Sequence, residues 1–291
     1  MIATNEIYNR YVADDLKVHR GLSHPVKSGI LSRLRVQKIN PKKLHPNPED
    51  EFSMDTVGPN WEIINNYESS IRINLLHDLD IFDEPLYAVK LDKGGYMLLN
   101  GHHRWLAALS VNVKKVPVKI TNITQDDDIY KAVNRSERDK CVTIDFDEVF
   151  FSDDVPKPSA KIPFPLNLIY KKNIRENASL LVREFQRMGY DVWIYSGSYL
   201  SDQYIKGLFA LNHCHVDGIV NGLDGKKNSQ KLKEIFREKY TTIVHVDNES
   251  FTAVNPRSKK YEIIDINASK DEWASQVVTH VQEFDLSSLN D

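Results

Sequence analysis

Cysteine is scarce in this chain. The 291 residues hold two, Cys141 and Cys214, which excludes both a disulfide framework and a cysteine-rich zinc site. Long apolar runs are missing, and so is a leader with a charged start and an apolar centre. A cytoplasmic chain with no membrane partner is therefore expected. Charge of one sign is lacking overall, with a formal net charge of −3, so bulk electrostatics do not make it a nucleic-acid binder. One stretch departs from that balance. From Lys27 to Lys43 the chain carries Lys27, Arg33, Arg35, Lys38, Lys42 and Lys43 and no acid, a candidate contact for a nucleic-acid backbone. What is present is 41% apolar residues, enough for two domains with cores of their own.

Periodicity orders the chain. Asn5 to Leu22 has the apolar spacing of a helix, and Leu34 to Ile39 alternates as a strand. His45-Pro46-Asn47-Pro48 forces an extended loop that leads into Glu49, Asp50 and Glu51. Trp61 to Leu79 reads as a helix with Ile64, Tyr67, Ile71 and Leu75 on one side. Leu86–Leu91 and Tyr96–Leu99 read as strands joined by the tight turn Asp92-Lys93-Gly94-Gly95. The second of them runs into Asn100-Gly101-His102-His103-Arg104. A glycine turn before a helix start presents unpaired backbone N–H groups to an anion, and Arg104 is placed to clamp a phosphate. Val116 to Ile120 closes this unit as a further strand.

Gly101-His102-His103-Arg104-x-x-Ala107, followed by Val116-Pro117-Val118 and preceded by the His45–Pro48 loop, resembles the ParB/sulfiredoxin-like domain over roughly residues 30–122. The resemblance implies an α+β fold whose Gly101, His102, His103 and Arg104 bind nucleotide phosphates, with ATP, ADP or CTP as ligand. A sulfiredoxin carries cysteine where His102 stands, which argues against that chemistry. A partition protein continues into a helix-turn-helix unit, and none reads here. The double histidine is closest to the ADP-dependent free serine kinases, in which Glu49 or Glu51 would be the catalytic acid.

The second half is organised around Thr143 to Val149. An apolar strand ends in Asp145 and Asp147. Alternate residues of a strand share a face, so the two carboxylates are expected to point the same way and hold Mg²⁺. A Pro-rich segment from Phe150 to Lys172 follows, read as a flap or an insert. Helices are expected at Asn173–Met188, Gln203–Asn212 and about Ser229–Lys239, and strands at Val192–Tyr195, Val216–Val220, Thr242–Val246 and Tyr261–Ile266. Such alternation implies a parallel sheet with its ligand at the carboxyl ends of the strands. Asp145/Asp147, Ser196 and Asp247 all fall at that edge, and Cys141, which abuts the aspartate strand, is expected to be a buried thiol.

This order of motifs resembles the haloacid-dehalogenase-like (HAD) phosphohydrolases over about residues 139–268. The resemblance implies a capless Rossmannoid domain with helices on both faces of its sheet. Asp145 would be the nucleophile, forming an aspartyl-phosphate, and Asp147 the general acid–base. Ser196 and Lys227 (or Lys226) would hold the phosphoryl group, and Asp145, Asp147 and Asp247 would serve Mg²⁺. Asn248 stands where many members carry a second Asp. The substrate would be a nucleotide, a nucleic-acid end or a phosphoprotein.

The expected class is thus two-domain α/β. It comprises a helical extension (1–27), a ParB/sulfiredoxin-like nucleotide-binding domain (28–122), a charged linker (123–138), a HAD-like phosphatase domain (139–268) and a C-terminal helix and tail (269–291). Two alternatives stand beside a phosphatase joined to a nucleotide-binding or kinase domain. One is a nucleotide-gated binding protein with a structural second half; the other is a ParB-like nuclease.

Overall fold

The computed structural model describes residues 6–19, 23–151, 160–170, 172–222, 226–246, 250–255, 260–265 and 272–288. The chain is a mixed α/β protein and divides into two compact units at Ile123/Thr124.

The first unit opens with a π-helical turn, Asn9–Ala13, running into α1, Asp14–His19. This is no detached extension. Val12 is fully buried, and Ile7, Tyr8, Tyr11 and Leu16 pack against the unit's core. Asp15 Oδ1 lies 2.9 Å from His45 Nδ1 and ties the segment down. The expected strand Leu34–Ile39 is shorter than its alternation implies. Ile30–Leu34 forms a helical turn, α2, capped by Gly29, before the strand.

The sheet contains β1 (Pro25–Val26), β2 (Gln37–Ile39), β3 (Leu44–His45), β4 (Leu86–Leu91), β5 (Tyr96–Asn100) and β6 (Val116–Ile120). Its order is β2-β6-β4-β5-β3, with β1 paired to the Leu91 end of β4. In β6 the residues Val116, Val118 and Ile120 face the core, the period of two expected of a half-buried strand. Two helices pack on each other, α3 (Trp61–Leu76) and α4 (His102–Ser110). Trp105 to Leu109 are all buried, so α4 is apolar nearly all round, as a core helix must be. α3 buries Ile64 and Ile71 but leaves Tyr67 and Leu75 exposed, because its covered face is narrower than its apolar spacing implies.

The second unit begins with a helix. Residues 123–138, expected as a linker, contain α5 (Asp126–Arg135), and its Ile129 and Val133 join this unit's core. Six strands follow: β7 (Lys140–Asp145), β8 (Tyr190–Ser196), β9 (Gly218–Asn221), β10 (Thr242–Val246), β11 (Ser250–Asn255) and β12 (Lys260–Asp265). Their order is β12-β11-β10-β7-β8-β9. β10, β7, β8 and β9 are parallel, whereas β11 and β12 are antiparallel. An all-parallel sheet was expected; the connections β10–β11 and β11–β12 are too short for crossovers and so produce hairpins.

Strand residues alternate between two cores. Val142, Ile144, Val192, Ile194, Val244 and Val246 meet α6 (Ala178–Arg187), α7 (Asp202–Leu211) and α9 (Trp273–Ser288) on one face. Cys141, Trp193 and Val220 meet α5 and α8 (Lys226–Lys239) on the other. The result is three layers with helices on both faces. Gly218 is required where β9 passes Trp193, since a Cβ there would come within 2.2 Å of the indole. At the amino edge of the sheet Asp191 is buried. It accepts from Ser136 Oγ (2.8 Å), Arg138 Nη1 (3.2 Å) and Tyr240 Oη (2.9 Å), so its charge is paired and its oxygens are satisfied. Cys141 is buried, as expected, and burial pushes its thiol up, with Asp191 adding to the effect.

Candidate functional sites at two strand ends

In the first unit the candidate site starts at Gly101, which follows β5 with φ +92° and caps α4. No side chain with a Cβ fits: that atom would lie 2.5 Å from Leu86 Cδ2. No side chain caps the helix either, so the first-turn N–H groups and the positive end of the helix dipole are left as donors. Arg104 folds back along the preceding loop. Its Nη1 donates to Glu84 O (2.7 Å), and its guanidinium sits 5.7 Å from the centre of the Phe82 ring.

The two histidines expected to bind phosphate have other partners. His102 is buried, and its Nε2 accepts the Asn47 N–H at 3.2 Å. A neutral ring that accepts at Nε2 carries its proton on Nδ1, and here Nδ1 lies 3.4 Å from Asp50 Oδ2. Burial lowers the His102 pKa to about 4; the neighbouring His103 works in the same direction and Asp50 opposes it. His103 Nε2 accepts the Asn60 N–H at 3.0 Å, and burial lowers its pKa as well. Asn60 in turn caps α3 through bonds from the Glu62 and Ile63 N–H groups. Phe52 is wedged between the two imidazoles, 5.3 Å from one and 5.1 Å from the other. Both rings therefore fasten upstream loops to the start of α4. Glu49 and Glu51 are exposed. The acid that reaches a histidine is Asp50, which also accepts the Phe52 N–H at 2.9 Å. Sequence reasoning passed over Asp50; its signal was the two-residue spacing of an Asx turn.

The basic run divides. Arg33 Nε donates to Ser28 O at 3.1 Å, beside a loop that Asn122 holds through the Ser28 N–H. Lys38 is exposed on β2 at one edge of the sheet, whereas Lys42 and Lys43 are exposed in the turn Pro41–Lys43 that leads into β3 at the other edge.

In the second unit β7 stops at Asp145, whose Oδ1 accepts the Glu148 N–H at 2.8 Å and caps a π-helical turn, Phe146–Phe150. The two-residue period therefore ends before Asp147, and the two carboxylates do not share a strand face as expected. The turn carries Asp147 towards the end of β8. Ser196 Oγ donates to the Asp147 carboxylate at 3.0 and 3.2 Å, and the Ser198 N–H donates at 3.0 Å. With that proton committed, Ser198 Oγ is the donor in its 2.7 Å contact with Ser196 Oγ. Ser196, expected to hold a phosphoryl group, is buried and aimed at Asp147. π-helical turns of this kind recur at functional sites.

Asn221 was not foreseen. It ends β9 opposite Ser196 and is buried. Its amide donates to Leu200 O (2.8 Å) and Asp202 Oδ1 (2.7 Å) and accepts from Thr124 Oγ1 (3.0 Å). These bonds fix the loop that leaves Ser196. Only an Asn at a strand end marks it in the sequence.

The strand order reverses between β7 and β10, the switch point at which open α/β sheets bind ligands. Asp145 stands at the carboxyl end of one of these two strands. Asp247, expected after the other, lies outside the described residues, as do Asn248 and Glu249. Lys226 and Lys227 open α8, and their side chains likewise lie outside the described residues. Among the described residues no three carboxylate, imidazole or thiol groups gather as a metal site. No described helix is long and apolar enough to cross a membrane.

Residues 26–136 match the ParB N-terminal domain. The match covers the sheet of the first unit and runs on through α5 of the second. No curated protein sequence matches the chain.

Proposed function

We propose that the protein hydrolyses a phosphomonoester at the carboxyl edge of the second unit's sheet, in a chain whose ParB-like portion binds a nucleotide. The observation that carries this reading is the junction of Asp147 and Ser196 at neighbouring strand ends, one turn from Asp145. Hard carboxylate oxygens fit Mg²⁺. Asp145 and the Asp147 backbone carbonyl would hold it, with Asp247 as a third donor. When bound, the ion offsets repulsion between an anionic nucleophile and an anionic phosphate.

The chain's own residues supply the rest. A carboxylate oxygen of Asp145 attacks phosphorus, and the bond to the leaving oxygen breaks. Asp147 delivers a proton to that oxygen, then takes one from the water that cleaves the aspartyl-phosphate. Ser196 and the Ser198 N–H hold Asp147 in place for both transfers. Ser196 acts as a positioning residue here, in place of the phosphoryl contact expected from its motif.

The test is phosphate release from an aryl phosphate with Mg²⁺ present. Asp145→Asn should abolish it, and Asp147→Asn should slow it by roughly 10²–10⁴-fold, the usual contribution of a general acid–base. Release that survives Asp145→Asn overturns the reading. If neither protein releases phosphate, weight passes to a second reading, a nucleotide-binding protein without turnover. The match of residues 26–136 to the ParB N-terminal domain and the uncapped start of α4 favour that alternative.

A further inference from the structure

Ser196 Oγ and the Ser198 N–H both donate to the Asp147 carboxylate, but they are held differently. Ser196 ends β8, whereas Ser198 lies in the loop between β8 and α7. That loop opens with Gly197, the residue type with the most backbone freedom to lose. Among the described residues a Cβ at Gly197 would meet only Asp147 Oδ2, at 3.9 Å, so close packing does not fix the glycine. The 2.7 Å contact between the Ser196 and Ser198 hydroxyls is one local restraint. A further restraint comes from the far end of the loop.

Asn221 holds that end. It closes β9 in register with Ser196 and is buried. Its Nδ2 donates to Leu200 O at 2.8 Å and to Asp202 Oδ1 at 2.7 Å, on either side of Ser201, the cap of α7. Its Oδ1 accepts the Thr124 hydroxyl at 3.0 Å, its N–H donates to Thr124 Oγ1 at 3.0 Å, and its carbonyl accepts the Thr124 N–H at 3.2 Å. Those partners fix the orientation of the amide, since a flipped one would set its oxygen against two acceptors. β9 is the terminal strand of the sheet, and Thr124, the first residue of the second unit, covers its edge. Covering the edge needs only Thr124 and the Asn221 main chain. The side-chain donors of Asn221 go the other way, to the loop that carries Ser198.

We propose that Asn221 is a positioning residue for the proton transfers of Asp147, acting through Leu200 and the Ser198 N–H. It touches no reacting atom, and its role rests on the phosphatase reading. Ser198 is two residues from Leu200, so its N–H follows the end that Asn221 holds. A carboxylate that gives a proton to the leaving oxygen and then takes one from water must be found at the same place for both steps. A small displacement at that distance lowers the rate. Because the proton moves only in the transition state, loss of the tether falls on kcat and spares KM.

The experiment is a double-variant cycle on the full chain with an aryl phosphate and Mg²⁺, read beside hydrogen exchange. Asn221→Ala should lower kcat by roughly 10- to 100-fold and change KM by less than about twofold. Exchange across residues 197–204 should quicken, while residues 140–145 keep their protection. In the Asp147→Asn background the same substitution should lower kcat by no more than about twofold, because the group it positions is gone. Thr124→Val covers the case in which Asn221→Ala does not fold. It strips the partner from Asn221 Oδ1 and should lower kcat several-fold, and Thr124→Ser, which keeps the hydroxyl, should restore it. Equal losses of kcat in the two backgrounds, a change confined to KM, or unaltered exchange across residues 197–204 would each overturn the proposal. If the unaltered chain releases no phosphate, the phosphatase reading and the role in proton transfer fall together, and the exchange data alone show whether Asn221 holds the loop.

Discussion

Both candidate sites are built where a strand runs into a helical turn, yet their chemistry is opposite. β5 ends at a glycine cap with no side-chain acceptor, and the first turn of α4 keeps its N–H donors. β7 ends at an aspartate cap, whose own carboxylate takes the Glu148 N–H and adds negative charge to the turn. The first arrangement suits an anion and the second a cation. The residue at the cap, Gly101 or Asp145, sets the sign. The comparison also separates appearance from role. The histidines beside Gly101 are acceptors for loop N–H groups, while the least prominent acid of their loop, Asp50, sits against His102.

The strongest way to break the donor site is Gly101→Ala. It imposes a left-handed conformation on a residue with a Cβ and drives that atom against Leu86. We expect a loss of roughly 3 kcal/mol or more from the first unit. Hydrogen exchange should show lower protection across residues 86–120 and unchanged protection in the second unit; an intact first unit would refute the geometry.

Acid is the next lever. The folded pKa of His102 lies below its ordinary value of 6.5, at about 4, so the unfolded chain takes up the proton first as pH falls. The stabilisation is complete above about pH 6.5 and is lost as pH drops towards 4, on the order of 3 kcal/mol in all. Burial gives His103 a shift of the same sign. Thermal melts across this range should show the decline. His102→Gln offers an acceptor that does not titrate and should flatten it; an equally steep profile in that variant would assign the effect elsewhere.

The smallest change is in the acceptor site. Ser196→Ala removes the hydroxyl that donates to Asp147 but leaves the Ser198 N–H in place. Denaturant titration should register a loss of about 1 kcal/mol. A loss several times larger would mean that the hydroxyl supports more than Asp147.

Much of this was legible in the chain itself. The helix start after Gly101, the alternation of strands and helices after Lys140, and the buried Cys141 all follow from local pattern. Legibility failed where a partner comes from elsewhere. Tyr67 and Leu75 have helical spacing with Ile64 and Ile71, but periodicity reports a direction and not whether a neighbour covers it. Asp147 looked like the next residue of a strand because a two-residue period carries no signal of where the strand stops. α5 looked like a charged connector because its three leading aspartates outweigh Ile129 and Val133, the residues that join the core.

The sequence by itself determined the local events: the turn that needs glycine, the carboxylate that caps a turn, the apolar faces of each strand, and a basic stretch without acid. These depend on neighbours within a few residues, and their energetics are written in side-chain identity. The tertiary structure alone decided which groups meet. Strand order placed Asp147 beside Ser196 and Asn221 opposite it, and loop closure set His102 on Asp50. Contacts between residues distant in the chain arise from burying apolar faces together, and no local pattern encodes which polar groups that burial leaves side by side.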